Sequence, residues 1–214
     1  MEKQQLQLEH QYRASNLNDP KNAPLIIMLH GYGSDENDLF SFASELPSKY
    51  AIISLKAPYG LNPHGNAWYA IHFDNVDGKW SDDNQAINSR DRVVSVINPV
   101  DKNNITLLGF SQGTILGLSI ALSYPKKIKN IIGLSGYVNE GILKEDYHKN
   151  DFKNLNIYSS HGTLDQVIPV EWARKTKHFL SNIVPDLTYN EFPVGHGVSP
   201  QNFYDFKNWL EKHS

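Results

Sequence analysis

The chain has 214 residues, of which 40% are hydrophobic and 20% charged, so it can bury one substantial core and reads as a single globular domain over 1–214. A formal net charge of −3, with lysines scattered along the sequence, provides no basic surface for nucleic acid. The absence of cysteine excludes disulfides, thiolate metal sites and a cysteine nucleophile.

In chain order, Met1-Glu2-Lys3-Gln4-Gln5 is polar where a signal peptide would turn apolar. Leu6, Leu8, His10 and Tyr12 then alternate with polar residues, as in a half-exposed edge strand. Leu25 to Leu29 is an apolar run too short to span a bilayer, so a cytoplasmic protein with no stable membrane insertion is expected. That run, with Ala51–Leu55, Ile105–Leu108, Ile131–Leu134 and Ile157-Tyr158, is continuous enough to be buried on both faces of a parallel sheet. Leu187 to Phe192 follows as a further strand pattern. Helical patterns alternate with these runs, roughly Glu36 to Leu46, Asp83 to Ile97, Ser111 to Ser123, Val170 to Ile183 and Pro200 to Lys212. The last begins with Ser199 as N-cap and Pro200 at the first helical position. Strict alternation implies βαβ crossovers and a doubly wound α/β sheet. Tyr59 to Asp82 breaks the rhythm, and connections of that length are often functional.

Gly109-Phe110-Ser111-Gln112-Gly113 joins a strand pattern to a small-residue helix. This is the form of a nucleophile elbow, in which a tight turn exposes a strained serine and its glycines avoid collision with the neighbouring strand or helix. A serine hydroxyl is a poor nucleophile at neutral pH and needs a general base oriented by an acid. In sheets carrying this elbow, the order along the chain is serine, carboxylate, histidine. His196, in Val194-Gly195-His196-Gly197 after the last strand pattern, is the expected base. Asp165, in a loop after the preceding strand, is the expected orienting acid; Asp151 and Asp186 are rivals that the pattern places at the wrong edge. A turn aspartate capping the following helix is the structural alternative for Asp165. The oxyanion would rest on the backbone N–H groups of Gln112 and of Tyr32, in His30-Gly31-Tyr32-Gly33. His30 and His161 read as loop-bracing histidines, and no carboxylate spacing of a zinc motif accompanies them. Asp35-Glu36-Asn37-Asp38 reads as a helix N-terminus favoured by the macrodipole.

On these motifs the chain resembles the carboxylesterase, phospholipase and acyl-protein thioesterase family of small lidless α/β-hydrolases. The match rests on Leu29-His30-Gly31-Tyr32-Gly33 with Asp35 to Leu39, on the elbow, on His161-Gly162 with Asp165 and Pro169, and on Gly195-His196. The resemblance implies a roughly seven-stranded, mostly parallel sheet without a large cap, cofactor-free ester or thioester hydrolysis without a metal, and catalytic roles for Ser111, Asp165 and His196. It also implies that Trp68, in Ala67-Trp68-Tyr69, lines the acyl pocket. Only about twenty residues separate Ser135 from the Leu155 strand, too few for a helical cap, so an open, shallow site is expected. The expected substrate is a small carboxylic ester cleaved through an acyl-enzyme. A thioesterase or lysophospholipase on longer acyl chains is the alternative enzyme, and a non-catalytic ligand-binding protein is the alternative class. A homodimer through exposed edge strands or the loop face is compatible with the pattern.

Overall fold

The five apolar runs form the middle of one sheet in a computed structural model that describes residues 8–19, 22–74, 78–100 and 104–213. In chain order the elements are β1 (His10–Arg13), β2 (Leu25–Leu29), α1 (Glu36–Phe40), β3 (Ala51–Leu55), then four short strands, β4 (Tyr59–Gly60), β5 (Asn66–Ala67), β6 (Ile71–Asp74) and β7 (Gly78–Ser81). There follow α2 (Asp83–Ile97), β8 (Ile105–Phe110), α3 (Gln112–Ser123), β9 (Asn130–Leu134), β10 (Asn156–Gly162), α4 (Val170–Ser181), β11 (Asp186–Phe192) and α5 (Pro200–Lys212). Among the described residues the main sheet has seven strands in the order β1-β3-β2-β8-β9-β10-β11. Only β1 runs antiparallel, pairing His10 with Leu55 at the sheet edge. Leu6, assigned by its alternation to this edge strand, lies outside the described residues.

Successive residues of β2 point to opposite faces, as strand geometry requires. Leu25, Ile27 and Leu29 join a core with α2, α3 and α4, whereas Ile26 and Met28 join one with α1 and α5. Helices therefore cover both faces, which makes this a doubly wound α/β sheet. On one face Phe203, Phe206, Trp209 and Leu210 of α5 are all buried, at about 1.5–3 kcal/mol for each large apolar side chain removed from water. All twelve residues of α3 are buried, as expected of a helix apolar on every side.

The first helix is shorter than its pattern. Asp35 caps it by accepting from the Asn37 N–H, with Glu36 and Asp38 in the first turn, but the α-helix ends at Phe40. The chain then tightens into turns in which Phe42 N–H bonds Leu39 C=O, Ala43 bonds Phe40 and Glu45 bonds Phe42. The guanidinium of Arg13 on β1 donates to the carbonyls of Ala43, Leu46, Pro47 and Tyr50, which ties this turn segment to the edge strand. The Tyr59 to Asp82 connection is not one irregular loop: β4 pairs with β5 and β6 with β7, both antiparallel. Between β9 and β10 the chain makes only two single 3₁₀ turns, Glu140–Ile142 and Tyr147–Lys149, so no cap covers the sheet's carboxyl end among the described residues. No described helix is long and apolar enough to cross a membrane.

Candidate active site

The chain leaves β2 toward β3 on one side and returns through β8 toward β9 on the other, so the order reverses between β2 and β8. Ligands of open α/β sheets gather beyond the carboxyl ends at such a switch point. Ser111 stands there, between β8 and α3, with φ 53° and ψ −116°. A non-glycine residue held at positive φ stores roughly 1–3 kcal/mol and persists only where its surroundings fix it. The flanking glycines explain how. A Cβ at Gly113 would sit 1.9 Å from the Leu29 carbonyl oxygen, and one at Gly109 would sit 2.6 Å from the Gly113 oxygen. The turn can therefore close only with glycine at both places.

Two loops bring the other expected residues to Ser111. The segment after β11 places His196 Nε2 2.9 Å from Ser111 Oγ, and the segment after β10 places Asp165 Oδ2 2.6 Å from His196 Nδ1. The Phe110 ring packs against the imidazole at 5.1 Å between centroids. Asp165 is held in a turn but does not cap α4, whose first turn has no side-chain cap. Its Oδ1 accepts from the Val167 and Ile168 N–H groups as a turn aspartate would, while Oδ2 faces His196. Burial opposes its charge, but the hydrogen bonds from His196, Ile168 and Val167 outweigh burial and hold the carboxyl below the usual aspartate range. The ionised acid then accepts from Nδ1–H, which leaves Nε2 free to take a proton from the serine. The rivals lie elsewhere: Asp151 pairs with Lys153 and Asp186 with His213.

The expected oxyanion donors also flank Ser111. A Cβ at Gly31 would come within 3.5 Å of Ser111 Cβ, so the loop after β2 lies directly against the serine. Neither the Tyr32 nor the Gln112 N–H donates to another group among the described residues. His30, fully buried, braces this loop: Nδ1 donates to Gly31 C=O at 2.7 Å and Nε2 accepts from Ala57 N–H at 3.0 Å. Burial lowers its pKa, in keeping with a neutral ring. His161 braces the neighbouring loop, with Nε2 2.8 Å from Ile168 C=O and 3.3 Å from Asp165 Oδ2.

Trp68 does not line the pocket. Its side chain is completely buried beneath the loop after β2, where Nε1–H donates to His30 C=O at 2.9 Å and its own N–H donates to Gln112 Oε1 at 2.8 Å. Gln112 in turn donates from Nε2 to Tyr69 C=O, and Ser89 Oγ donates to Trp68 C=O. An indole offers a large apolar body and one donor, and here both are used to fasten the His30 to Gly33 loop to the elbow.

Ser111, Gln112 and His196 border a pocket of about 290 Å³. Tyr69 and Ile71 from the aromatic connection, Ile115, Tyr137, Val167 and Trp172 wall it. Sequence reasoning missed these residues except as members of a long connection or a helix face, because they converge from five separate segments.

The family model for phospholipase/carboxylesterase matches residues 13–214. Among curated proteins, the chain is 28% identical over 213 residues to acyl-protein thioesterase 1 of Saccharomyces cerevisiae, covering 87% of this chain and 91% of that protein. It is 26% identical to a probable carboxylesterase of Oryza sativa, covering 90% of this chain and 79% of that one. Among solved structures, the Bacillus cereus carboxylesterase superposes with a TM-score of 0.82 at 18% identity, covering 98% of this chain and 96% of that one. Zea mays acyl-protein thioesterase 2 gives 0.78 at 18% identity, covering 96% and 98%.

Proposed function

We propose, for a chain that belongs to the phospholipase/carboxylesterase family of hydrolases, that it cleaves small carboxylic esters through an acyl-enzyme on Ser111. The observation that carries this reading is the continuous relay from Ser111 Oγ through His196 to Asp165, with spacings of 2.9 and 2.6 Å. Ser111 Oγ attacks the ester carbonyl as its proton passes to His196 Nε2. Asp165 holds the Nδ1–H tautomer and stabilises the imidazolium. The negative oxygen of the tetrahedral intermediate rests on the Tyr32 and Gln112 N–H groups, each worth about 3 to 4 kcal/mol of barrier. Collapse breaks the ester bond, and His196 returns the proton to the leaving alkoxide. Water, deprotonated by the same histidine, then releases the acid and restores the serine.

The cavity, about 290 Å³, falls just under the roughly 300–1,000 Å³ usual for ligand pockets. That favours short acyl groups. Thioester cleavage is the second reading, favoured by likeness to proteins named acyl-protein thioesterase; the same atoms would serve it. Hydrolysis of p-nitrophenyl esters of increasing acyl length, beside matched thioesters, separates the two. Ser111→Ala should lower kcat by about a thousandfold or more. Retained turnover in that variant would overturn the assignment, and the absence of turnover in the wild type would favour a binding protein.

A further inference from the structure

The cavity beside Ser111 is apolar on most of its surface but not on one wall. Ile71, Ile115, Val167 and Ile168 are apolar, whereas Tyr69, Ser81 and Tyr137 carry hydroxyls. Tyr69 is only 2% exposed, and its hydroxyl has no hydrogen-bond partner among the described residues yet is not sealed from solvent. Tyr69 lines this cavity. A site needing bulk alone would be served by phenylalanine, and a hydroxyl with no protein partner is available to bond a group that enters the cavity.

Ser81 stands on the same wall with its proton already committed. Its Oγ donates to Asp83 Oδ1 at 3.0 Å, and Asn139 Nδ2 donates to the same oxygen at 3.1 Å. Ser81 Oγ therefore meets the cavity as an acceptor. Burial above all, the adjacent Tyr137 and the charge of Asp83 push the Tyr69 phenol well above its ordinary range, so it keeps a proton to donate. Burial and Asp83 raise Tyr137 in the same way. The wall thus offers donors and an acceptor close to a fixed negative charge. A hydroxyl satisfies it from both sides. An ammonium would leave the phenol protons unused, and a carboxylate would face Asp83.

We propose that Tyr69, Ser81 and Tyr137 recognise a hydroxyl on the substrate, so that the preferred esters are short and hydroxylated in the acyl or the alcohol half. This rests on the hydrolase reading above. The test compares kcat/KM for ethyl butanoate, ethyl β-hydroxybutanoate and hydroxyethyl butanoate in the wild type, Tyr69→Phe and Ser81→Ala, with a thermal melt showing that each variant is folded. One hydroxylated ester should be preferred over ethyl butanoate by about three- to tenfold, and that ratio should fall to near one in Tyr69→Phe. If Tyr69→Phe does not fold, Ser81→Ala should show the same loss of ratio. A wild-type ratio near one for both hydroxylated esters, or a ratio that survives both substitutions, would overturn the proposal. Dissociation constants for the three esters on Ser111→Ala, measured by ligand-observed NMR, report the same preference without turnover. A binding preference without wild-type hydrolysis would sink the hydrolase reading alone; hydrolysis without preference in rate or binding would sink this one alone.

Discussion

Replacing Trp68 by phenylalanine removes a single donor from beneath the His30 to Gly33 loop and leaves a smaller ring in a fully buried site. The His30 carbonyl loses the partner it has at 2.9 Å and is left unsatisfied in the interior. An unpaired buried acceptor costs about 1–3 kcal/mol, and the space vacated by the indole adds to it, so roughly 2–4 kcal/mol is expected in all. At about 2–4 °C per kcal/mol for a chain of this size, Tm should fall by about 4–16 °C. The same carbonyl belongs to the loop that presents the Tyr32 N–H, so the loss should appear in the chemical step. We expect kcat for p-nitrophenyl acetate and hexanoate to drop together by about tenfold or more, as when stabilisation made only in the transition state is lost. KM should move little, because the indole does not touch the cavity. Calorimetric melts and steady-state kinetics on both esters check this, with Trp172→Phe, on the cavity wall, as the contrast. An unchanged Tm together with an altered ratio between acetate and hexanoate would refute the bracing role and return Trp68 to the pocket.

Asp165→Asn should lower kcat by about 10³- to 10⁴-fold with little change in KM, since an amide in place of Oδ2 presents the wrong partner to His196 Nδ1; steady-state assays near neutral pH test it. Because the folded carboxyl titrates below the unfolded value of about 3.9, its stabilising contribution is complete above that pH and is lost as pH falls through the lower folded value. The Tm difference between wild type and Asp165→Asn should therefore be flat at mildly acid to neutral pH and shrink below about pH 4. Arg13→Ala should cost about 2–4 kcal/mol in a urea melt, since the guanidinium satisfies carbonyls of four residues from Ala43 to Tyr50 and charged hydrogen bonds are the stronger kind. A loss below 0.5 kcal/mol, the range of ordinary surface substitutions, would show that those carbonyls find other partners.

The relay was legible in the sequence because its chemistry narrows the choice of residue at each place. Only glycine fits at 109 and 113, the base must follow the last strand, and the acid must precede it. The buried strands were legible for a similar reason, since apolar runs covered on both faces have few alternatives. What escaped depends on distant partners. The turns after α1 are tied to Arg13, about thirty residues earlier in the chain, and no local pattern from Glu36 to Leu46 contains that contact. An aromatic residue in a long connection can wall a cavity or lie beneath one, and only the position of the His30 carbonyl decides that Trp68 lies beneath. Tyr69, the next residue, faces the cavity instead. The polar wall escaped for the same reason, because Tyr69, Ser81 and Tyr137 become neighbours only through the fold.

The central claim is that Ser111 is an activated nucleophile. Its most direct test is reaction of the intact chain with a fluorophosphonate, followed by mass spectrometry of the peptide that contains Gly109 to Gly113. Rapid stoichiometric modification of Ser111 is predicted, with the rate reduced by at least about a hundredfold in His196→Ala. Modification at another serine, or equally rapid labelling of Ser111 without His196, would contradict the account.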